Sequence, residues 1–272
     1  MSAADGDKVF AGSVPRLYDT YLVPLIFQPY ANDLAKRLAA RPVERVLEIA
    51  AGTGVVTRAL AEKLPERASI VSTDLNQAMI DQAMAIGTKR PVEWRQADAM
   101  KLFFPDAAFD AVVCQFGVMF FPDKAKAFAE VRRVLKPGGL FLFNVWDRIE
   151  DNEFADTVTT ALASMFPLDP PRFLARTPHG YSHIPTIERD LAQGGFAAPG
   201  EIATVTARSR AQSSREPAIA YCQGTPLRDE IEARGAGRIG EATEVAAAAV
   251  ARRFGERAVD GKIQAHVVAV ER

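Results

Sequence analysis

Cysteine and histidine are scarce in this chain of 272 residues, and their scarcity removes several chemistries at once. The only two cysteines, Cys114 and Cys222, stand at no metal-ligand spacing, so no disulfide framework and no metal are expected and both thiols read as reduced. Long apolar runs are missing too, and none approaches the roughly 20 residues needed to cross a bilayer. The first residues, Met1 to Asp7, are polar and acidic and lack the basic-then-apolar order of a secretory signal, which makes a cytoplasmic location the expectation. Neither sign of charge dominates: 33 basic against 34 acidic residues leave a net charge of -1, which gives no global attraction to nucleic acid or anionic lipid. Internal repeats are absent, and low complexity is confined to the run Ala246 to Ala249.

What remains is the composition of a soluble globular protein, 48% hydrophobic and 25% charged, long enough for a sizeable core. From Val14 to Leu38 the pattern predicts two helical pieces broken near Pro24 and Pro29. Strands then alternate with helices, which predicts βα units and a parallel sheet. Strands are expected at residues 45–49, 69–73, 92–96, 109–115 and 140–145, and helices at 55–63, 77–85 and 125–135. Asn76 is placed to cap the second of these helices, and Lys136-Pro137-Gly138-Gly139 to stop the third. Beyond Trp146 a helix at 154–165 leads into a proline-rich stretch, 167–185, too long for a simple connection and read as a lid or cap. A short helix within 187–196, a strand at 201–208, an alanine-rich helix at 242–254 and a last strand at 264–270 complete the pattern.

The chemistry begins where the first strand ends. Glu48-Ile49-Ala50-Ala51-Gly52-Thr53-Gly54 crosses two glycines into a helical pattern, the strand, tight turn and helix start of a nucleotide-sized site. Glycine lets the backbone approach a ligand, and the helix start offers unpaired N–H groups. A dinucleotide fingerprint would carry a third glycine at position 57, and Thr57 stands there, which disfavours a nicotinamide or flavin site. Asp74 ends the second strand, where a carboxylate accepts hydrogen bonds from both ribose hydroxyls. Asp98, after the third strand, stands where it could accept from an exocyclic adenine amine, or could simply cap its loop. A ligand with a ribose but no pyrophosphate follows from that set.

Taken together, Val46 to Val145 resembles the class I S-adenosylmethionine-dependent methyltransferases, in the small-molecule branch that includes the ubiquinone and menaquinone methyltransferases. The resemblance rests on Glu48 to Gly54, Asp74, Asp98-Ala99, Phe109 to Phe116 and Leu135 to Phe141. It implies a Rossmann-like α/β fold with a mostly parallel seven-stranded sheet, the last strand antiparallel, and a helical cap. It implies a single domain over 1–272: an N-terminal helical lid at 14–40, a cofactor core at 41–147, cap segments at 148–200 and 209–262, and final strands at 201–208 and 263–270. It further implies that Gly52 and Gly54 let the backbone pass the methionine portion of the cofactor, that Glu48 supports the loop and the amino group, and that Asp74 grips the ribose. Asp98 and the Ala99 backbone would then meet the adenine amine, and Leu75 and Met79 the adenine ring, although Met79 reads equally well as core. Gln115 and Phe116 would face the methyl group and the acceptor.

Two features depart from that pattern or add to it. The family carries glycine where Ala50 stands, a change that costs little unless the backbone there has positive φ. Gln115-Phe116-Gly117-Val118 also differs from the Asn-Pro-Pro-Tyr type of signature found in the family's DNA-methylating members, and this disfavours nucleic acid as a partner. Should the acceptor need to lose a proton, His179, Tyr181 and His183 in the cap are the candidate bases, with surface loop residues as the plainer reading; His266 in the last strand reads as structural. Tyr18 and Tyr21 are the aromatic residues expected to fold over the sulfonium, against the plainer reading as helix packing.

The expected activity is therefore methyl transfer from S-adenosylmethionine to a small molecule, leaving S-adenosylhomocysteine, chiefly by in-line positioning. A nicotinamide-dependent oxidoreductase and a noncatalytic S-adenosylmethionine-binding protein are the alternatives, and membrane-quinone methylation is a subclass. The acceptor and its reacting atom have no motif, and a monomer and a homodimer are equally compatible with the sequence.

Overall fold

The computed structural model describes residues 14–272; the acidic stretch Met1 to Asp7 lies outside the described residues. Seven strands form one sheet in the order β3-β2-β1-β4-β5-β7-β6. They are β1 (Arg45–Glu48), β2 (Ser69–Asp74), β3 (Glu93–Gln96), β4 (Phe109–Gln115), β5 (Leu135–Trp146), β6 (Glu201–Ala211) and β7 (Val259–Glu271). The first five pair in parallel: Val46 lies opposite Ile70 on one side and Ala111 on the other, Ser72 opposite Trp94, and Gln115 opposite Asn144. Crossovers between parallel strands need helices, which is why α3 (Val55–Lys63), α4 (Gln77–Ile86) and α5 (Lys124–Val134) separate them. β7 runs the other way: the Arg272 N–H donates to Gly139 O, whereas Asp147 N–H, further along β5, donates to Gln264 O. The terminal strands are thus antiparallel, as the resemblance implied.

Contacts divide the described chain into two compact units. One contains residues 28–145, 181–205 and 265–272. Its central strands β1, β4 and β5 are buried on both faces, so Val46, Leu47, Ala111, Val112, Val113, Phe141 and Phe143 have no exposed surface and read as near-continuous apolar runs. Phe141 stacks on Phe143 at 4.6 Å, with Phe128 edge-on at 5.5 Å. Gly194 closes helix α8 (Ile184–Gln193) against α5 so tightly that a side-chain carbon there would stand 2.5 Å from Phe128 Cβ. The other unit holds the described residues 14–27, 146–180 and 206–264. It is mainly helical, with α6 (Glu153–Met165), α7 (Phe173–Arg176), α9 (Arg215–Gln223), α10 (Leu227–Arg234) and α11 (Ile239–Phe254). Phe154 meets Phe254 edge-on at 4.9 Å, and Glu230 accepts from the Arg172 and Phe173 N–H groups and from Arg176 Nη1.

Several boundaries move from those expected. The chain is helical from Val14 to Ala39 with no break at the prolines: α1 (Val14–Leu17) and α2 (Gln28–Ala39) flank a π-wound segment, Tyr18–Phe27, that contains Pro24. The wider winding accommodates a residue that lacks an N–H and would otherwise clash with the preceding turn. Asn76 stands at the cap position of α4, yet its side chain makes no cap bond and reaches back to Asp74 Oδ1 instead. The third of the expected helices ends at Val134, just before Lys136 to Gly139 as expected, but β5 already begins at Leu135 and bulges there, since the register jumps from Phe109 opposite Leu135 to Ala111 opposite Leu140. Helices α9 and α10, polar and short, have no counterpart among the expected elements.

Candidate functional site

The site is built at the carboxyl ends of β1 to β4, where open α/β sheets bind their ligands, and all of it lies within the first unit. The turn after β1 has three residues in the left-handed region, Ala50 at φ 53°, Gly52 at 56° and Gly54 at 82°. Two are glycines, as the strain demands. Ala50 is not, and the expectation that alanine is tolerated cheaply here is corrected: positive φ costs a side-chain-bearing residue about 1 kcal/mol or more. Gly54 is required twice over, because a side-chain carbon there would also stand 2.8 Å from Trp94 Cη2.

Asp74 ties this turn to β2. Its Oδ2 accepts the Gly52 N–H at 2.8 Å and its Oδ1 the Asn76 N–H at 2.8 Å, and burial pushes its carboxyl above the usual range despite both bonds. Glu48 lies deeper, with 1% of its surface exposed. Its Oε2 accepts from the hydroxyls of Thr57 and Ser72, which are 3.1 Å apart. Burial raises its carboxyl to about 8, so near neutral pH it is largely protonated and acts as a peg between β1, β2 and α3. Thr57, at the position where a dinucleotide site needs its third glycine, is a fully buried member of that cluster.

The remaining expected cofactor residues line up behind Asp74. Leu75 is 48% exposed, a large apolar side chain left open at the end of β2, whereas Met79 is buried in α4. Gln96 Nε2 donates to Leu75 O at 2.8 Å and so steadies that loop from β3. Asp98 accepts the Met100 N–H on Oδ1 at 2.8 Å, the loop-capping role expected as its alternative, and Ala99 is buried beside it.

At the end of β4, Gln115 is half-buried and Phe116 has φ 49°, a second strained non-glycine residue. Asn144 Oδ1 accepts the Phe116 N–H at 2.9 Å, and Tyr30 packs edge-on against the Phe116 ring at 5.3 Å. Tyr30 is held in turn by its hydroxyl, which donates to Val205 O. Neither Asn144 nor Tyr30 was among the expected site residues. The signal for Asn144 was present, as it is the one polar residue in the run Leu140 to Trp146.

The candidate bases separate chemically. His179 is buried, and because Asp147 O can only accept, Nδ1 carries the hydrogen of their 2.8 Å bond and Nε2 keeps its lone pair. Burial lowers His179 to about 4, so it is neutral at physiological pH. Tyr181 donates its hydroxyl to Asp190 Oδ2 at 2.9 Å, lies under Lys124 Nζ, and has its acidity further suppressed by burial. His183 is exposed and contacts Thr186 Oγ1 at the start of α8. His179 belongs to the second unit, Tyr181 and His183 to the first. Tyr18 and Tyr21, both half-buried, also lie in the second unit, where Tyr18 stacks on Phe27 at 4.9 Å. His266 is buried on β7, with Nδ1 at 3.0 Å from Thr204 Oγ1.

Residues 47–143 match a family described as a methyltransferase domain. The chain is 30% identical over 203 residues to the ubiquinone/menaquinone biosynthesis C-methyltransferase UbiE of Ectopseudomonas mendocina, covering 70% of this chain and 75% of that protein. It is 36% identical over 136 residues to the demethylmenaquinone methyltransferase of Deinococcus radiodurans, covering 48% and 56%. Among solved structures, YcgJ of Bacillus subtilis superposes with a TM-score of 0.55 at 20% identity, covering 90% of this chain and 98% of that one. The [4+2]-cyclase SpnF superposes equally well, with a TM-score of 0.55 at 20% identity over 90% of this chain and 80% of its own. At such identities the likeness is one of fold, and function has to be argued from the site.

Proposed function

The chain belongs to the class I S-adenosylmethionine-dependent methyltransferases, and on that premise we propose that it methylates a carbon of a small quinol-type ring. It is an enzyme that transfers a methyl group from S-adenosylmethionine to its acceptor and releases S-adenosylhomocysteine. The observation that carries the choice of acceptor is the relationship to ubiquinone/menaquinone C-methyltransferases over three quarters of such a protein's length.

The donor set suits that cofactor. Asp74 Oδ2 accepts the Gly52 N–H and keeps a lone pair for a ribose hydroxyl, while Oδ1, which takes the Asn76 N–H and a long bond from the Asn76 side chain, can serve a second hydroxyl if that side chain turns away. Leu75 offers exposed apolar surface for an adenine face, with Met79 beneath the same helix start as a weaker contributor. Asp98 spends Oδ1 on the Met100 N–H and keeps Oδ2 for an exocyclic amine, beside the Ala99 backbone. Gly52 and Gly54 keep the turn clear of side chains on the methionine side, and Ala50 adds one methyl group there. We assign Glu48 to holding the turn rather than to meeting an amino group, because its carboxyl is enclosed by Thr57 and Ser72. Gln115 and Phe116 are assigned to the wall nearest the reacting methyl.

When bound, the cofactor supplies a methyl group already activated by a sulfonium, so the protein's share is orientation and exclusion of water. A phenolic acceptor becomes a carbon nucleophile once its hydroxyl proton is removed. Of the three candidates His179 has its tautomer fixed by its partner, with Nδ1 committed to Asp147 O and Nε2 keeping its lone pair. Tyr181 and His183 are assigned to holding the loop before α8.

Transfer of labelled methyl from S-adenosylmethionine to a quinol panel, with 1,4-naphthoquinol as the simplest member, tests the proposal. Label in a ring-methylated product is expected. Incorporation confined to amines or thiols overturns the quinol class, and failure to bind S-adenosylhomocysteine overturns the cofactor site.

A further inference from the structure

β5 is apolar from Leu140 to Trp146 except at Asn144, whose side chain has no exposed surface. A carboxamide in that setting breaks the local rule for a strand buried on both faces, and such breaks mark functional or strained positions. Half of it is unsatisfied: Nδ2 is buried with no hydrogen-bond partner. The other half is engaged, since Oδ1 accepts the Phe116 N–H at 2.9 Å. That bond also fixes which end of the amide is oxygen, because nitrogen in its place would face another donor. The group is thus kept for Oδ1 and pays for Nδ2, since a buried donor without a partner forfeits its hydration.

What Oδ1 holds is a strained residue. Phe116 at φ 49° occupies a region that side chains disfavour, and such a conformation persists only where its surroundings over-determine it. Here three constraints converge: the Asn144 carboxamide on its N–H, the Tyr30 ring edge-on to its own, and Gly117 pressed beneath the Ala50 methyl group. Only the first acts on the backbone of Phe116 through a side chain. Without it the N–H is left with the longer bond to Asn144 O at 3.3 Å.

We propose that Asn144 is a positioning residue that acts through Phe116, locking the Gln115-Phe116-Gly117 turn in its left-handed form so that the wall facing the transferred methyl has a fixed place. This rests on the methyltransferase reading of the site. The strand order supports a role on the methyl side: Glu48 and Asp74 end β1 and β2 and Asp98 follows β3, on one side of β4, whereas Asn144 lies in β5 on the other. A change at Asn144 therefore shifts the wall next to the methyl group and leaves the ribose and adenine ends of the site in place.

S-adenosylmethionine and S-adenosylhomocysteine differ only in the methyl group and its charge, so their affinity ratio reads that wall whatever the acceptor is. Asn144→Leu is expected to change the ratio threefold or more, with S-adenosylhomocysteine affinity held within about twofold, and to lower turnover on the quinol panel tenfold or more. Asn144→Asp keeps an oxygen for the Phe116 N–H and is expected to restore most of both. An unchanged ratio in Asn144→Leu overturns the inference. Equal loss of both ligands by both variants, with a matching loss of thermal stability, also overturns it and makes Asn144 a packing residue. Wild-type protein that binds both ligands but methylates no quinol refutes the acceptor proposal alone, since the ratio still decides the role of Asn144.

Discussion

The Cβ of Ala50 stands where Gly117 leaves room for it: a side-chain carbon added at 117 would lie 2.5 Å from it and 2.8 Å from Cys114 Sγ. The alanine that replaces a family glycine in the first turn is thus complemented by a glycine in the turn after β4. Gly117 itself has φ -98°, so it is required for space and not for backbone freedom. Ala50→Gly is expected to stabilise the protein by about 1 kcal/mol by relieving positive φ. Gly117→Ala is expected to cost roughly 1–3 kcal/mol through overpacking. The double variant should recover part of that loss beyond additivity, the rest persisting through Cys114. A denaturant-unfolding double-mutant cycle measures the coupling, and strict additivity would show that the two turns do not touch energetically.

Asp74 has two duties, and the structure lets them be separated. Asp74→Ala removes the acceptor for the Gly52 and Asn76 N–H groups and is expected to destabilise the free protein by about 1–3 kcal/mol. It should also weaken S-adenosylhomocysteine by roughly 30-fold, the value of two ribose hydrogen bonds at ~1 kcal/mol each. Calorimetry carried out well below the melting temperature separates the two effects. A stability loss with unchanged affinity would leave Asp74 as a turn brace only.

Both thiols are expected to be inert in the native state. Cys114 and Cys222 have no exposed surface, and burial pushes each up to about 12. Iodoacetamide at pH 8 should therefore label neither residue until denaturant unfolds the chain, as followed by intact mass. Fast labelling of one site in native protein would reveal local opening around it.

How far these features could be read beforehand depended on whether their cause was local. The helix 55–63 and the strand 109–115 are where the period and the flanking glycines put them, because their punctuation is local in the chain. The placement of Gly52, Gly54, Asp74 and Asp98 at or just after strand ends was legible for the same reason. Positive φ at Ala50 and Phe116 was not, because it is imposed by β2, β4 and β5 from residues far apart in sequence. Glu48 read as a support of the loop and of an amino group, but its buried partners Thr57 and Ser72 were not legible, since they become its neighbours only when β2 pairs with β1. The π winding at 18–27 escaped notice because proline reads as a helix breaker in any α-periodic pattern.

Two buried groups with opposite shifts should shape the pH dependence of stability. Glu48 is raised in the folded protein from 4.5 to about 8, so the native state holds a proton that the unfolded chain releases, and stability falls as pH climbs through that interval. His179 is lowered from 6.5 to about 4, so between those values the unfolded chain binds the extra proton and stability rises with pH. Between about 4.5 and 6.5 the two cancel, and above that only Glu48 still acts, which predicts a level profile up to about 6.5 and a decline toward 8. Glu48→Gln, which keeps a carboxamide oxygen for the Thr57 hydroxyl, should flatten that decline. His179→Asn should lift that cancellation, so that the fall begins near 4.5 and continues toward 8. Unfolding free energies from denaturant titrations at half-unit pH steps check both. A wild-type profile that does not fall from 6.5 to 8 would mean that Glu48 is ionised in the folded protein, and its role as a neutral peg under the turn would have to be abandoned.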